Sequence, residues 1–404
     1  MAPGNLRVDA AAALRREVPA LEAPRVGSIG KASPRARWLV TVLALPVALG
    51  VMELALRVAG FEHAIAAAPL VLGSERMLAA PADGPGTHCF DAATLWSPRP
   101  GAVLTPDLLP TINGLGYRGP ELAAARAPGS LRVALLGESV LFGFGVAADE
   151  AVTARLSREL QGAAPVVEVF NASVIGFTIV QGLERYRALV RPLHPDVVCV
   201  AFGNHNEAAP AHGRPDTDLL AAARAELHGW SGVWLAMRSD LRVLQGLQWL
   251  ADRSRGPRGA ATSGAPCESG DLDAYGTVEW PGARRVPLGE FRDTLRTLAD
   301  EIAADGGRLV LCQLPLRPAA VARYPIMARY GEVMEQVARE RGAQFLDVRP
   351  ALAHAALAAG TGDFFLPADP WHLNAAGQAL LAGELARAVR GAGECIGGAR
   401  GGSR

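Results

Sequence analysis

Leu131-Arg132-Val133-Ala134-Leu135-Leu136-Gly137-Glu138-Ser139-Val140-Leu141-Phe142-Gly143 is the stretch on which the reading of this chain turns. Residues 131–136 make a short apolar run of the kind that forms a strand buried on both faces. The run stops at a glycine, a carboxylate and a serine. In an open parallel α/β sheet, ligands bind at the carboxyl ends of the strands, so Ser139 stands at the functional edge. A serine in such a loop is most often only a helix cap. What else the chain brings to that edge decides between the two.

Outward from this stretch the pattern is regular. Apolar runs at 166–170, 197–202, 308–314 and 344–348 alternate with helical periodicity over 150–161, 180–190, 288–304, 329–341 and 375–389. Five such runs between amphipathic helices predict an α/β fold, a three-layer α/β/α sandwich on a five-stranded parallel sheet. Its crossovers should be right-handed. The domain spans 131–390, with an insertion at 208–286. In the insertion, 219–227 and 233–250 read as helices, the second carrying Trp234, Leu241, Leu244, Leu247 and Leu250 on one apolar face. Residues 253–270 are rich in Gly, Pro, Ser and Arg and read as a loop. A substrate-selecting lid and a plain decoration both fit this insertion.

Upstream, residues 1–37 carry seven Arg/Lys against three acids and no sustained period, as a disordered segment does. Residues 38–52 then hold no charge at all. A spanning helix needs about 20 apolar residues, which the run reaches when extended through Glu53 and Arg57 to residue 60. Glu53 and Arg57 lie four apart and can pair on one helix face. The reading is a signal anchor at 38–60, a single pass of the inner membrane with residues 1–37 cytoplasmic by the positive-inside rule. A cleaved signal and a buried globular helix are the alternatives, the latter disfavoured because the run shows no polar face. Residues 61–130 form an extended lead; within it, 113–121 (NGLGYRGPE) is turn chemistry that lays an exposed Tyr117 and Arg118 against the domain. The Gly/Arg-rich tail 391–404 reads as disordered.

Composition narrows the partners. Of 404 residues, 40 are basic and 40 acidic, so nothing global points to nucleic acid. None of the cysteines 89, 199, 267, 312 and 395 sits in a CxxC or CxxH pattern, which argues against zinc. Cys199 and Cys312 fall in predicted strands. Cys89 and Cys267 fall in loops, where an exported domain would let them bridge.

Four groups gather at the predicted sheet edge: Gly137-Glu138-Ser139, residues 171–177 (NASVIGF), Gly203-Asn204-His205-Asn206-Glu207, and Asp369-Pro370-Trp371-His372. Acyl transfer needs a hydroxyl nucleophile, a base, a group that orients the base, and donors for the oxyanion. Ser139 supplies the first. Asp369 and His372, three apart, can hydrogen-bond within one turn and fix the imidazole tautomer. Backbone N–H groups of Ser139 and Gly176, with an amide from the third loop, can hold the oxyanion. Glu138 structures its loop by accepting backbone N–H bonds. His194, His205, His212, His228 and His354 read as ordinary loop or surface residues, His205 being the one near the site.

With these motifs in place, residues 113–390 resemble the SGNH (GDSL-type) hydrolase family. Gly137-Glu138-Ser139-Val140 resembles its Gly-Asp-Ser-Leu block, with Glu in the Asp position. Gly176 matches the oxyanion glycine, and Asp369 and His372 match the Asp-x-x-His signature, followed by Asn374 and Gly377. Residues 113–121 resemble the lead-in of membrane-anchored bacterial members. The third block departs from Gly-x-Asn-Asp: Gly203 puts His205 in the Asn position, whereas a shift of one aligns Asn206-Glu207. Asn206 is the favoured amide donor, with Asn204 the alternate and His205 a third choice.

The resemblance implies a serine esterase acting on small acyl esters, acetyl groups on envelope glycans fitting the location, with no cofactor or metal. Two alternatives stay open: an O-acyltransferase using the same site on a glycan acceptor, and a non-catalytic glycan-binding protein on the same fold. A dinucleotide reading is weaker, since Gly143-Phe144-Gly145 lacks a third glycine.

Overall fold

The computed structural model describes residues 33–61, 88–91, 93–102, 112–123, 125–211, 214–227, 230–254, 276–359 and 363–400. The chain divides into two units, Met1–Leu54 and Ala55–Arg404. Helix α1, Pro34–Val58, starts a turn before the expected 38. Its apolar side chains, Leu43, Leu45 and Val47 among them, are exposed. The uncharged run ends at Glu53, and among the described residues no helix is long and apolar enough to cross a membrane. The expected spanning helix at 38–60 is therefore present as a helix but falls short as a span.

Among the described residues, the first element after α1 is a hairpin, inside the segment 61–130 expected to be an extended lead. Strands β1, His88–Asp91, and β2, Leu95–Pro98, pair antiparallel. Asp91 turns the corner by accepting the N–H groups of Ala93 and Thr94, the local bond that makes Asp a turn residue. Then follow β3, Leu131–Gly137; α2, Ser139–Phe142; α3, Val152–Glu159; β4, Val167–Asn171; and α4, Ile179–Arg185, continued by a π turn over Tyr186–Val190. Strand β5, Val197–Ala201, leads into α5, His205–Ala208.

The insertion contributes α6, Asp216–Leu227; α7, Trp230–Asp240; and α8, Arg242–Ser254. The helix expected over 233–250 is thus two, parted at Leu241. The Asp240 carbonyl at the break accepts Arg57 Nη2 at 2.8 Å instead of continuing one straight ladder. The rest is α9, Leu288–Ala304; β6, Arg308–Gln313; α10, Pro318–Val321; α11, Pro325–Arg341; β7, Gln344–Asp347; α12, Arg349–Ala359; and α13, Ala375–Arg400. Helix α13 runs into the tail read as disordered from 391. Each glycine there costs about 1 kcal/mol against alanine, but adding a residue to an existing helix is far easier than starting one.

The five long-range strands form one parallel sheet in the order β4-β3-β5-β6-β7, the α/β architecture the spacing predicts. Alternate residues feed two cores. Ala134, Leu136, Val198, Val200 and Leu311 face one layer with Ile179, Phe291 and Tyr330. Val133, Leu135, Cys199, Val310 and Cys312 face the other with Val152, Leu156, Leu381 and Leu385. Cys199 and Cys312 are buried free thiols. Cys89 lies in β1; Cys267, and so the bridge considered for it, lies outside the described residues, as do His212 and His228. Chain order reverses between β3 and β5, since β4 flanks β3 on one side and β5 on the other. That switch point opens a crevice at the strands' carboxyl ends, and the loops of Ser139 and Asn204 both leave from it.

Candidate active site

Gly137 closes β3 because nothing larger fits: a Cβ there would lie 2.6 Å from the Ala201 carbonyl oxygen of β5. The chain then turns directly into α2, so Ser139 sits at the helix start, 3 % exposed. On the opposite side, the loop before α13 carries the base. Ala368, at φ 57°, takes the left-handed conformation that non-glycine residues seldom adopt, and delivers Asp369. One Asp369 oxygen, Oδ1, accepts the N–H groups of Trp371 at 2.9 Å and His372 at 2.8 Å. The other, Oδ2, lies 2.7 Å from His372 Nδ1, and His372 Nε2 lies 2.8 Å from Ser139 Oγ. With Nδ1–H given to the carboxylate, Nε2 is left as the acceptor for the serine proton. Burial works against ionisation of Asp369, but the His372 imidazole and the two backbone N–H groups outweigh it and hold the carboxyl below its usual range. The carboxylate that orients the base is therefore charged across neutral pH.

The residues 139, 369 and 372 singled out by spacing are thus brought together at hydrogen-bonding distance. Gly176 also takes its expected place, in the loop after β4, at φ 77°. Among the described residues the N–H groups of Ser139 and Gly176 have no protein acceptor, so both are free to donate to a bound group.

The third loop is organised by Glu138. Its side chain does more than the expected backbone bonding: Oε1 accepts Asn204 Nδ2 at 3.1 Å and Oε2 accepts Asn206 Nδ2 at 2.5 Å. The extra methylene of Glu over Asp lets the carboxyl bridge from β3 to the loop after β5. Each amide keeps a second N–H. Asn204 also caps α5 through a reciprocal box with Glu207, whose Oε2 accepts the Asn204 N–H at 3.0 Å. Burial and the neighbouring Glu207 push the Glu138 carboxyl up to about 8; burial pushes Glu207 to about 7.

His205 is not an ordinary surface residue. Its ring stacks on Trp371 with centroids 4.1 Å apart and planes 7° apart, and stands edge-on to His372 at 6.2 Å. Burial first, with electrostatic coupling to the neighbouring His372 ring and to Arg285, presses its pKa to about 3, so the ring is neutral. Phe144 covers the other approach, its ring 4.7 Å from the His372 imidazole.

Sequence reasoning missed the groups that hold these loops. Tyr117 and Arg118, expected at the surface, are 1 % and 3 % exposed. Arg118 donates to the carbonyls of Phe142 at 2.7 Å and Val146 at 2.6 Å and to that of Gly143, fixing the turn that carries Phe144. Arg285, at the far end of the insertion, donates to the Gly176 carbonyl at 2.9 Å and bonds both oxygens of Asp216. An isolated arginine in a loop carries no periodicity, so no local signal announced either one.

Residues 135–380 match the GDSL-like lipase/acylhydrolase family. No curated protein matches the chain significantly. Solved structures similar to it include a lipase/acylhydrolase from Enterococcus faecalis, 18 % identical with a TM-score of 0.40, covering 65 % of this chain and 96 % of that one. The acetyl xylan esterase AlAXEase is 13 % identical with a TM-score of 0.41, covering 64 % and 100 %. The acetylxylan esterase Axe2 from Geobacillus stearothermophilus is 18 % identical with a TM-score of 0.38, covering 65 % and 94 %.

Proposed function

The chain belongs to the GDSL-like lipase/acylhydrolase family and is a hydrolase of ester bonds, and on that premise we propose that it is a serine esterase working through an acyl-enzyme on Ser139. His372 Nε2 takes the Ser139 proton as Oγ attacks the ester carbonyl carbon. The carbonyl oxygen, now negative, is held by the N–H groups of Ser139 and Gly176 and by the spare amide N–H of Asn206, with Asn204 as the alternate. The C–O bond to the alcohol then breaks and His372 returns the proton to the leaving oxygen. Water, deprotonated by the same imidazole, releases the acid. The observation that carries this reading is the unbroken line Asp369–His372–Ser139 at 2.7 and 2.8 Å.

The acyl group is small, in this reading, because aromatic rings crowd the serine: Phe144 lies against His372 and the His205–Trp371 stack closes the other side. In the same proposal the enzyme is held at the inner membrane by the apolar side chains of α1, a location for which acetyl groups on envelope glycans are the fitting substrates. Support comes from the exposed apolar side chains of α1 and the basic residues before it. Retention in the membrane fraction after a carbonate wash tests that attachment; release by the wash refutes it.

Replacing Ser139 with Ala should abolish both hydrolysis of p-nitrophenyl acetate and labelling by a fluorophosphonate probe. Wild-type-like turnover in that variant would sink the assignment. Product analysis with and without a glycan acceptor separates hydrolysis from transfer.

A further inference from the structure

The Gly176 N–H is held in place by two residues that belong to none of the four catalytic motifs, one from the lead and one from the insertion. Ile175 and Gly176 are joined by a trans peptide, in which the carbonyl and the N–H point in opposite directions. The Ile175 carbonyl accepts the indole N–H of Trp96 at 3.1 Å. Fixing that oxygen fixes the direction of the Gly176 N–H. The next carbonyl, that of Gly176 itself, accepts Arg285 Nη1 at 2.9 Å. A glycine at φ 77° is the most freely turning residue in the loop, and both peptides around it are pinned by side chains.

Those two side chains also brace each other. The Arg285 guanidinium lies 5.9 Å from the centre of the Trp96 ring, and Trp96 stands edge-on to Phe177 at 5.5 Å. The hairpin that carries Trp96 is itself fastened down: the Thr94 carbonyl accepts Gln181 Nε2 at 2.8 Å, and Arg185 Nη1 donates to Ser97 Oγ at 3.0 Å. Arg285 is fastened by Asp216, which accepts from it through both carboxylate oxygens at 3.1 and 2.8 Å.

We infer that Trp96 and Arg285 are positioning residues of the oxyanion hole, Trp96 by aiming the Gly176 N–H through the Ile175 carbonyl and Arg285 by locking the peptide that follows. Neither touches substrate. Their effect falls on the transition state, because the negative oxygen they prepare for exists only there. The inference rests on the esterase reading above and adds to it that the hairpin and the insertion complete the site.

The test is Trp96→Phe, which keeps a ring and loses the indole N–H, with Trp96→3-benzothienylalanine as a second variant that keeps the bicyclic shape and puts sulfur where the N–H was. For both, kcat on p-nitrophenyl acetate should fall about 10- to 100-fold, less than the roughly 10²–10³ lost when an oxyanion donor is removed outright. KM should hold, and affinity for a trifluoromethyl ketone, which forms a tetrahedral adduct on the serine, should fall with kcat. Arg285→Lys should lower kcat in the same direction. Unchanged kcat and ketone affinity in the benzothienylalanine variant overturns the inference. So does a loss in that variant shared between kcat, KM and thermal stability, since that marks packing and not aim. A wild-type enzyme that a fluorophosphonate never labels at Ser139 would instead refute the esterase reading itself.

Discussion

Glu138 should make the catalytic domain less stable as pH rises from 5 to 8. The carboxyl is fully buried between β3 and the third loop, and it shares that space with Glu207. Its ordinary value of 4.5 is raised to about 8. An unfolded chain releases this proton near the ordinary value, whereas the folded chain keeps it. Folding therefore takes up a proton between the two values, and stability present below the unfolded value is lost as pH climbs toward the folded one. From 4.5 to about 8, at about 1.36 kcal/mol per pH unit, the loss is on the order of 4 kcal/mol. Glu207, raised to about 7 by burial, acts in the same direction. The perturbation is Glu138→Gln. Glutamine cannot ionise, but its NH₂ faces an Asn amide where an acceptor oxygen stood, which leaves one buried donor unpaired at a cost of about 1–3 kcal/mol. At pH 5 the variant should be the less stable protein. By pH 8 the difference should close or reverse, because only wild type has lost its proton-linked stability. Urea unfolding followed by tryptophan fluorescence at four pH values measures both slopes. His205, held neutral in the folded protein, adds an opposite slope below pH 6.5 to both proteins, so the difference between the two slopes isolates Glu138, and a variant with the wild-type slope would refute the reasoning.

Two further outcomes follow from the site. Asp369→Asn keeps the size of the side chain but presents an amide where His372 Nδ1–H is received at 2.7 Å, favouring the wrong tautomer; kcat on p-nitrophenyl acetate should fall by about 10⁴ with little change in KM, and a loss under tenfold would argue against this carboxylate as the orienting group. Gly137→Ala forces a Cβ to 2.6 Å from the Ala201 oxygen, so β3 and β5 must part at the switch point; the expected loss of at least about 2 kcal/mol in urea unfolding, comparable with overpacked core sites, is contradicted by a wild-type midpoint.

What the sequence makes readable here is whatever is local. The strands announce themselves because a parallel sheet covered on both faces demands unbroken apolar runs. Asp369 and His372 announce themselves because their bond closes within a single turn of chain. The third loop does not, because its geometry depends on Glu138, some seventy residues earlier in the chain, and a register argument on Gly203 alone cannot show which side chains that carboxyl captures. Trp96 and Arg285 are less visible still. Their partners are backbone carbonyls, which every residue has, so no pattern of residue types marks the pairing. The one local sign near Trp96 is Asp91, whose side chain turns the β1–β2 hairpin. The break at Leu241 and the length of α13 were hidden for the opposite reason: local propensity favoured one continuous helix and one disordered tail, and tertiary contact and helix propagation overrode both.

The family match begins at residue 135 and ends at 380, yet the groups that hold the reacting loops come partly from before it. Trp96 fixes the peptide ahead of Gly176. Arg118 fastens the turn after Ser139 through three carbonyls, with its guanidinium 5.2 Å from the Phe142 ring. Arg185, fully buried, bonds the Ala172 carbonyl at 2.6 Å, the Gly116 carbonyl at 2.7 Å and Ser97 Oγ at 3.0 Å, and so joins the oxyanion loop to both lead pieces at once. Buried guanidiniums are costly to desolvate unless their donors are met, and burial alone presses Arg118 down to about 10. A connector with no part in the site would have no reason to bury such groups against one loop after another at the sheet edge. On the esterase reading proposed above, Trp96 and Arg118 from the lead and Arg285 from the insertion therefore act with the triad: the triad supplies the reacting atoms, and these three side chains hold the loops around them.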